Sequence, residues 1–202
     1  MDKLFWDQKY SVDEYIYTTE VNRFVKEHLA HLTPGKMIDL AGGEGRNTVF
    51  FAEKGWQAEN IDLSSVGLDK CQKLAAEKNV SDLVFTTNAS ALDFVSKLAP
   101  VDLGICAYLQ IPQEQLTVAI TRLVENIKPG GVFFGVWHAL ENLKDGFGGP
   151  QNPDFLPSEE SMTQLLSSLP LEIQFVTNRD GQVQTKEGLK PSITLTAMAI
   201  KL

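Results

Sequence analysis

Two carboxylic acids and a cluster of glycines stand close together in the stretch KMIDLAGGEGRNTVFFAEKGWQAENIDLS. Asp39 ends one apolar run and Asp62 ends the next, while Gly42, Gly43 and Gly45 follow the first acid. Glycines after a strand let the backbone approach a ligand closely, and a helix start offers free N–H groups. Asp62 stands 19 residues after Gly43, the place of an acid that binds a ribose 2′-hydroxyl. The stretch therefore predicts a site for an adenosine-containing ligand.

Two such ligands compete, a dinucleotide and S-adenosylmethionine, and the loop discriminates between them. A dinucleotide fingerprint requires a third glycine for tight helix–strand packing. Thr48 stands at that position when the motif is counted from Gly43. The acids Asp39 and Glu44 would repel a pyrophosphate, whereas a carboxylate attracts a sulfonium ligand that carries a free amino group. The loop thus favours S-adenosylmethionine, and the structural alternative is a capped turn that binds no ligand.

Three features are candidates for binding the second substrate, the methyl acceptor. His138 directly follows an apolar run, at the carboxyl end of a predicted strand. It faces the acceptor there or is a capping or loop residue. Arg46 opens the helix beside the glycine loop, and it is either a solvated charge or the holder of a carboxylate or anionic acceptor. Residues 141–157 are rich in glycine and proline and predict a long loop on the acceptor side.

The elements that must position these residues follow from apolar runs that alternate with amphipathic segments. We predict strands at 37–41, 57–61, 83–87, 101–106, 132–137, 171–177 and 192–200. We predict helices at 19–32, 46–54, 64–78, 91–98, 113–127 and 159–168. This alternation predicts an α/β domain with a mostly parallel sheet and helices on both faces. The last two strands have no helix between them and flank a predicted turn at Asp180-Gly181, so we expect them to pair antiparallel at one edge.

The bulk composition is that of one globular domain. The chain has 202 residues, of which 43% are hydrophobic and 22% charged. A net charge of −8 and the lack of a basic patch interleaved with aromatics argue against a nucleic-acid partner. No apolar run approaches the roughly 20 residues that span a bilayer, and the acidic N-terminus is unlike a signal peptide. Cys71 and Cys106 indicate neither a disulfide nor a metal site. We expect a cytoplasmic enzyme with no metal and no membrane partner, and the sequence leaves the oligomeric state open.

The chain resembles class I S-adenosylmethionine-dependent methyltransferases, and among them the small bacterial tellurite-resistance and thiol methyltransferases. The matching pieces are WDQKY, YIYTTEVN, IDLAGGEGRNTVFFAEKG, IDLSSVGLDK, KPGG and GGPQNPDFLPSEE, in the same order over nearly the whole chain. The resemblance implies a Rossmann-like fold whose seven-stranded sheet has its sixth and seventh strands as an antiparallel edge pair. It implies a single domain, 1–202, with an N-terminal lid and helix in 1–33, a cofactor-binding core in 34–138 and acceptor-side elements in 139–202.

The same resemblance implies which residues bind S-adenosylmethionine and its product S-adenosylhomocysteine. The implied cofactor-binding residues are Asp39, Ala41, Gly42, Gly43, Gly45, Asp62, Leu63, Ser90, Ala91, Cys106, Trp6 and Tyr10. Among them, Asp62 is expected to bond the ribose and Leu63 to pack on the adenine. Ser90 stands where relatives have an acid that contacts the adenine, and Asn88 competes with it for that role. Trp6 and Tyr10 either close over the cofactor or only pack the first helix onto the domain.

The implied reaction is methyl transfer to a small molecule. Its implied catalytic residues are His138, Tyr108 and Arg46. A thiol or a chalcogen oxyanion reacts as an anion and needs no base, whereas an alcohol, an amine or a nitrogen heterocycle can need one. Gln110 stands where many relatives have a histidine, which leaves the acceptor open. The competing interpretation is a module that binds S-adenosylmethionine without turnover, as a sensor or partner subunit.

Overall fold

A computed structural model describes residues 3–185 and 187–202. The strands are β1 (Lys36–Leu40), β2 (Gln57–Asp62), β3 (Val84–Asn88), β4 (Val101–Ala107), β5 (Ile127–His138), β6 (Leu171–Thr185) and β7 (Gly188–Lys201). The α-helices are α1 (Lys3–Tyr10), α2 (Arg23–Leu29), α3 (Arg46–Glu53), α4 (Ser65–Glu77), α5 (Gln113–Asn126), α6 (Asn142–Asp145) and α7 (Glu159–Ser167). Short 3₁₀ turns cover Ser81–Leu83 and Pro153–Phe155. In this part of the chain no helix is both long and apolar enough to cross a bilayer.

The sheet has seven strands in the order β3-β2-β1-β4-β5-β7-β6. Strands β1 to β5 pair parallel, and β7 pairs antiparallel with both β5 and β6. The predicted Rossmann-like architecture with an antiparallel edge pair is therefore confirmed. The strand order reverses between β1 and β4, and ligands of open α/β sheets bind at the carboxyl ends of the strands at such a reversal.

Two apolar layers cover the two faces of the sheet. Helices α2, α3 and α4 pack on one face, and α5 and α7 pack on the other. Adjacent residues of one strand serve opposite layers, as Phe133 and Phe134 of β5 do, and both are fully buried. A strand buried on both faces reads as a continuous apolar run rather than an alternating one. The sequence located the apolar part of β5 at 132–137 but missed its first five residues, because the strand begins at Ile127.

Polar caps fix where the helices begin. Ser64 Oγ accepts a hydrogen bond from Gly67 N at 3.1 Å and caps α4, as the sequence predicted. The helix predicted at 19–32 is shorter in the structure, because Asn22 is its cap. Asn22 Oδ1 accepts from the N–H groups of Phe24 and Val25, so α2 begins only at Arg23.

The helix predicted at 91–98 is absent, and the buried carboxylate of Glu59 explains its absence. Glu59 is 0% exposed and accepts hydrogen bonds from Lys97 N, Leu98 N and Ser96 Oγ. An α-helix needs those N–H groups for its own carbonyls. The segment is held as an irregular loop because a buried carboxylate that lacked these donors would be costly.

The turn predicted at Asp180-Gly181 was wrong, because the edge hairpin is longer. Strands β6 and β7 continue to the pair Thr185↔Gly188. Strand β5 pairs with β7 only as far as His138↔Thr194, so the end of the hairpin extends past the carboxyl end of β5. Neighbours hold this extension in place: Arg23 donates to Asp180 O, and Phe147 N donates to Pro191 O at 2.9 Å.

Candidate cofactor and acceptor site

The glycine loop between β1 and α3 is a turn with almost no free space. Gly43 and Gly45 have φ of 55° and 85°, in the left-handed region. A Cβ on Gly42 would lie 2.6 Å from Asn60 Oδ1 and 2.7 Å from Asp39 Oδ2. Ala41 has φ of 57°, an uncommon conformation for alanine that is often found at functional sites. The turn thus requires glycine at the predicted positions.

Asp39 is buried beneath this loop, and only one of its two carboxylate oxygens accepts a hydrogen bond. Its side chain is 0% exposed, and Oδ2 accepts hydrogen bonds from Thr48 Oγ1 at 2.8 Å and Thr48 N at 3.2 Å. Oδ1 is buried without a hydrogen-bond partner. Burial raises the pKa of Asp39 to about 6, since a charged group loses its hydration there. An unpaired buried carboxylate oxygen fits a ligand that brings an ammonium group.

Asp62 links the glycine loop to the start of α4. Its Oδ2 accepts from Gly43 N at 2.8 Å, and its Oδ1 accepts from Ser64 N at 2.8 Å. The residue is 8% exposed, and burial raises its pKa. Each carboxylate oxygen keeps a lone pair beyond these bonds. The arrangement fits a ribose whose hydroxyls donate to a carboxylate.

Two asparagines support the Asp62 region. Asn60 Nδ2 donates to Gly43 O at 3.0 Å, and its Oδ1 is buried without a partner. Asn88 Nδ2 donates to Asp62 O at 3.1 Å and to Leu63 O at 2.9 Å. Sequence reasoning missed Asn60, although a polar residue inside a buried strand signals a specific partner.

Ser90 and Ala91 lie in the turn after β3. Ser90 Oγ accepts from Leu92 N at 3.1 Å, and Ser90 O accepts from Asp93 N. Both polar groups of Ser90 thus serve its own turn, and Ala91 packs against the apolar core. The adenine contact of either residue stays a prediction, as does that of Leu63.

Helix α1 lies over the glycine loop and the start of α4. Tyr10 is 5% exposed, and a Cβ on Gly43 would lie 2.6 Å from its hydroxyl. A Cβ on Gly67 would lie 3.1 Å from its ring. Trp6 stacks on Tyr10 with 5.5 Å between ring centroids. Asp7 accepts from Ser64 Oγ at 2.6 Å. Tyr10 therefore adjoins the loop and Trp6 stacks on Tyr10, and the contact of either ring with a cofactor stays a prediction.

The structure corrects the prediction that Glu44 repels a pyrophosphate. Its carboxylate accepts from Ile16 N and Tyr17 N and pairs with Lys70 Nζ at 2.9 Å. A carboxylate that is paired in this way repels a pyrophosphate far less than a free one. Among the two loop acids, Asp39 is the one with an unpaired oxygen, so the preference for a cationic ligand rests on Asp39.

The three predicted catalytic side chains come together at the carboxyl ends of β4 and β5. The ring of Tyr108 lies 5.2 Å from the ring of His138, centroid to centroid. The guanidinium carbon of Arg46 lies 5.9 Å from the Tyr108 centroid. Tyr108 has φ of 61°, a second strained non-glycine residue at a strand end. One cluster thus combines a cation, a phenol and an imidazole.

His138 is held on several sides. Its backbone N–H donates to Gln110 Oε1 at 2.7 Å, and Gln110 Nε2 donates to Phe155 O. A Cβ on Gly149 would lie 2.7 Å from the imidazole, so the chain at 149 packs directly on the ring. Burial lowers the pKa of His138, and Nδ1 is buried without a partner. Burial therefore favours the neutral imidazole over the charged imidazolium. Sequence reasoning noticed Gln110 but missed its bridging role.

The two cysteines lie in the apolar core. Cys106 is 0% exposed and belongs to the apolar core, and its contact with a cofactor stays a prediction. Burial raises the pKa of both thiols, that of Cys71 to about 12. Within residues 3–185 and 187–202 no group of three or more His, Cys, Asp or Glu side chains is placed to hold a metal ion.

Comparisons with known proteins agree with this geometry. Residues 37–131 match a family described as "Methyltransferase domain". The chain is 36% identical over 119 residues to the tRNA 5-carboxymethoxyuridine methyltransferase of Escherichia coli strain K12. That match covers 57% of this chain and 45% of the relative, so the chain spans less than half the length of this curated relative.

Solved structures show the same fold at low sequence identity. TehB from Haemophilus influenzae superposes with a TM-score of 0.74 at 15% identity, covering 99% of this chain and 67% of its own. Magnesium protoporphyrin IX methyltransferase from Synechocystis, solved with bound SAM, has a TM-score of 0.60 at 16% identity, covering 84% and 71% of the two chains. Residues 37–131 therefore resemble a methyltransferase domain, and the described residues have the Rossmann-like fold of the solved methyltransferases.

Proposed function

We propose that this chain transfers the methyl group of S-adenosylmethionine to a small-molecule acceptor. The observation that carries the proposal is the unpaired, buried Oδ1 of Asp39 beneath a glycine turn that reaches across to Asp62. The cofactor has an ammonium group and ribose hydroxyls, and these two carboxylates match those groups in kind. The family match of residues 37–131 supports the same proposal.

The cofactor, when bound, supplies a methyl group already activated by the sulfonium. The chain then has to position two reactants and exclude water, which is the larger part of catalysis for such a transfer. Asp39 and Asp62 hold the donor, while Gly42 and Gly43 allow its close approach. The ring of Tyr10 covers the loop from the N-terminal side, and Trp6 stacks on Tyr10.

The proposed acceptor site consists of Arg46, Tyr108 and His138. A guanidinium binds a carboxylate or an oxyanion, and it also fits the carboxylate end of the cofactor's methionine. A neutral imidazole can accept a proton from a nucleophile or donate a hydrogen bond to it. These chemistries fit a thiol, a chalcogen oxyanion or another small nucleophile.

Two observations weigh on the acceptor in opposite directions. The curated relative in E. coli is named for methylating a modified uridine in tRNA. The net charge of −8 opposes phosphate-backbone binding, which depends on lysine and arginine. We therefore favour a small molecule. A binding module without turnover is the second candidate, because Gln110 replaces the histidine of many related enzymes.

The proposal is tested in two steps. Calorimetric titration of the protein with S-adenosylhomocysteine should show binding in the micromolar range, which corresponds to about −8 kcal/mol. Transfer of labelled methyl from S-adenosylmethionine is then measured for a small thiol, a chalcogen oxyanion, a small carboxylate and bulk tRNA. Absence of binding would exclude the methyltransferase, and transfer to tRNA alone would exclude the small-molecule acceptor. Binding without transfer to any acceptor favours the binding module.

A further inference from the structure

Glu44 stands inside the glycine loop, yet its side chain serves a distant part of the chain. Its Oε2 accepts from Ile16 N at 3.0 Å and from Tyr17 N at 3.4 Å. Its Oε1 accepts from Ile16 N at 3.1 Å and from Lys70 Nζ at 2.9 Å. Glu44 is 6% exposed. A buried carboxylate with three donors from two other segments is a specific connection, because charge is buried only where partners satisfy it.

Lys70, on α4, also contacts the segment that contains Ile16 and Tyr17. Its Nζ donates to Glu14 O at 2.6 Å and lies 5.6 Å from the ring centroid of Tyr15. The hydroxyl of Tyr15 donates back to Lys70 O at 3.2 Å. The Lys70 side chain is only 12% exposed. The ion pair between Glu44 and Lys70 therefore joins residues 14–17 to both the glycine loop and α4.

We propose that Glu44 is a positioning residue that, with Lys70, latches residues 3–17 over the glycine loop and so controls how long the cofactor stays bound. The inference rests on the proposed cofactor site. Helix α1 in this segment places Tyr10 against Gly43, directly beside Glu44 in sequence. When the latch opens, the ring of Tyr10 leaves the loop and the donor site is exposed to water.

The latch and the cofactor loop are coupled because both depend on the backbone between Gly43 and Gly45. Two events that favour one conformation of a loop favour each other by the same factor. Loss of the Glu44 carboxylate should therefore weaken cofactor retention, and a bound cofactor should in turn hold the Ile16 and Tyr17 amides closed.

The test compares Glu44→Gln with wild type in two measurements. Amide hydrogen exchange at Ile16 and Tyr17 reports the latch directly and needs no ligand. Dissociation of S-adenosylhomocysteine, followed by stopped flow, reports retention. Loss of a charged hydrogen bond predicts about tenfold faster exchange of both amides and about tenfold faster dissociation. Asp102→Asn is the matched control, since Asp102 also accepts a backbone N–H, from Lys36, and pairs with a lysine, Lys128, at the far end of the sheet. It should change neither rate.

The outcomes separate this inference from the proposed function. Unchanged exchange in Glu44→Gln overturns the latch, and faster exchange with unchanged dissociation overturns its control of cofactor retention. Either result defeats the inference. A second measurement on wild type covers the case in which the variant fails to fold: saturating S-adenosylhomocysteine should slow exchange at Ile16 and Tyr17, and no slowing overturns the coupling. If wild type binds no S-adenosylhomocysteine, the proposed function fails and the inference fails with it, while normal binding with an unchanged latch defeats the inference alone.

Discussion

The two sides of the sheet's carboxyl edge are built in different ways. On the cofactor side, at the ends of β1 and β2, polar groups bond to backbone atoms of the turns that directly follow the two strands, as Asp62 does with Gly43 N and Ser64 N. On the acceptor side, at the ends of β4 and β5, His138 depends on Gln110 and Gly149 from separate loops. The proposed donor site is thus built from the turns beside the strands, whereas the proposed acceptor site depends on the packing of segments that are distant in sequence.

The strongest way to break the cofactor side is Asp62→Ala. The change removes the carboxylate proposed for the ribose and two backbone hydrogen bonds. We expect the affinity for S-adenosylhomocysteine to fall tenfold to a hundredfold, which corresponds to about 1.5–3 kcal/mol for a charged hydrogen bond. Titration calorimetry measures it. Asp102→Ala is the control because Asp102 also holds a backbone N–H, that of Lys36, at the amino end of the sheet. Equal losses in both variants would point to general destabilisation.

Asp39 predicts that ligand binding on the cofactor side depends on pH. With a pKa of about 6, roughly one tenth of the carboxyl groups are ionised at pH 5. An ammonium ligand binds the ionised form, so affinity for S-adenosylhomocysteine should fall about tenfold between pH 7 and pH 5. Asp39→Asn should remove most of this dependence, and the smaller remainder belongs to Asp62, whose pKa is also raised. Titration calorimetry between pH 5 and pH 7 measures the affinity of both proteins. If the affinity of Asp39→Asn falls as steeply as that of wild type, Asp39 is not the group responsible.

The same carboxyl predicts an opposite trend in the stability of the free protein. Burial raises the native pKa of Asp39 above the ordinary aspartate value of 3.8, so the native state keeps its proton at higher pH than the unfolded chain. The contribution to the free energy of unfolding is full below about pH 4 and is lost as pH rises through 6. The loss is on the order of 3 kcal/mol. Denaturant titrations of wild type and Asp39→Asn should therefore converge at low pH.

Gly149→Ala tests the acceptor side alone and has the smallest expected effect. Gly149 has φ of 75°, and a Cβ there would press on the ring of His138 at 2.7 Å. We expect methyl transfer to fall about fivefold, equivalent to about 1 kcal/mol, with S-adenosylhomocysteine affinity unchanged. Gly130→Ala is a matched control, because Gly130 has φ of 77° but nothing lies within 4 Å of its Cβ position. It shares the backbone strain of about 1 kcal/mol without the clash. A fall in cofactor affinity in Gly149→Ala would refute the separation of the two sides.

The sequence predicted the local structure around the glycine turn better than the structure around His138, for a physical reason. The glycine turn, Asp39 and Asp62 are set by local strand–turn–helix chemistry, and their positions followed from spacing. Strands β1 to β4 were placed within about one residue at each end. Strands β1 and β4 are mostly apolar runs, as expected of strands buried on both faces. A long-range partner leaves no local trace, so the bond from Gln110 to Phe155 was not predicted.

The two wrong secondary-structure predictions also result from contacts between segments that are distant in sequence. The segment 91–98 has helical periodicity, yet the buried Glu59 takes its N–H groups. Asp180-Gly181 is a typical turn pair, yet cross-strand pairing with Ile193 and Ser192 carries the strand through it. In both cases tertiary contacts outweighed local propensity, which spans only about 1 kcal/mol per residue. Glu44 was read as a loop acid facing the ligand for the same reason, since its partners lie at Ile16 and Lys70.

The place of β7 between β5 and β6 has a consequence for biosynthesis. Strand β5 contains VFFGVW, and its outer edge is covered only by β7, the last strand along the chain. A ribosome makes the chain from its N-terminus, and domains begin to fold while synthesis continues. The edge of β5 therefore stays open while the loop, α7 and β6 are still being made. An open apolar edge is a template for pairing with other chains. VFFGVW is the segment that a nascent chain has to shield from its neighbours until β7 has been made.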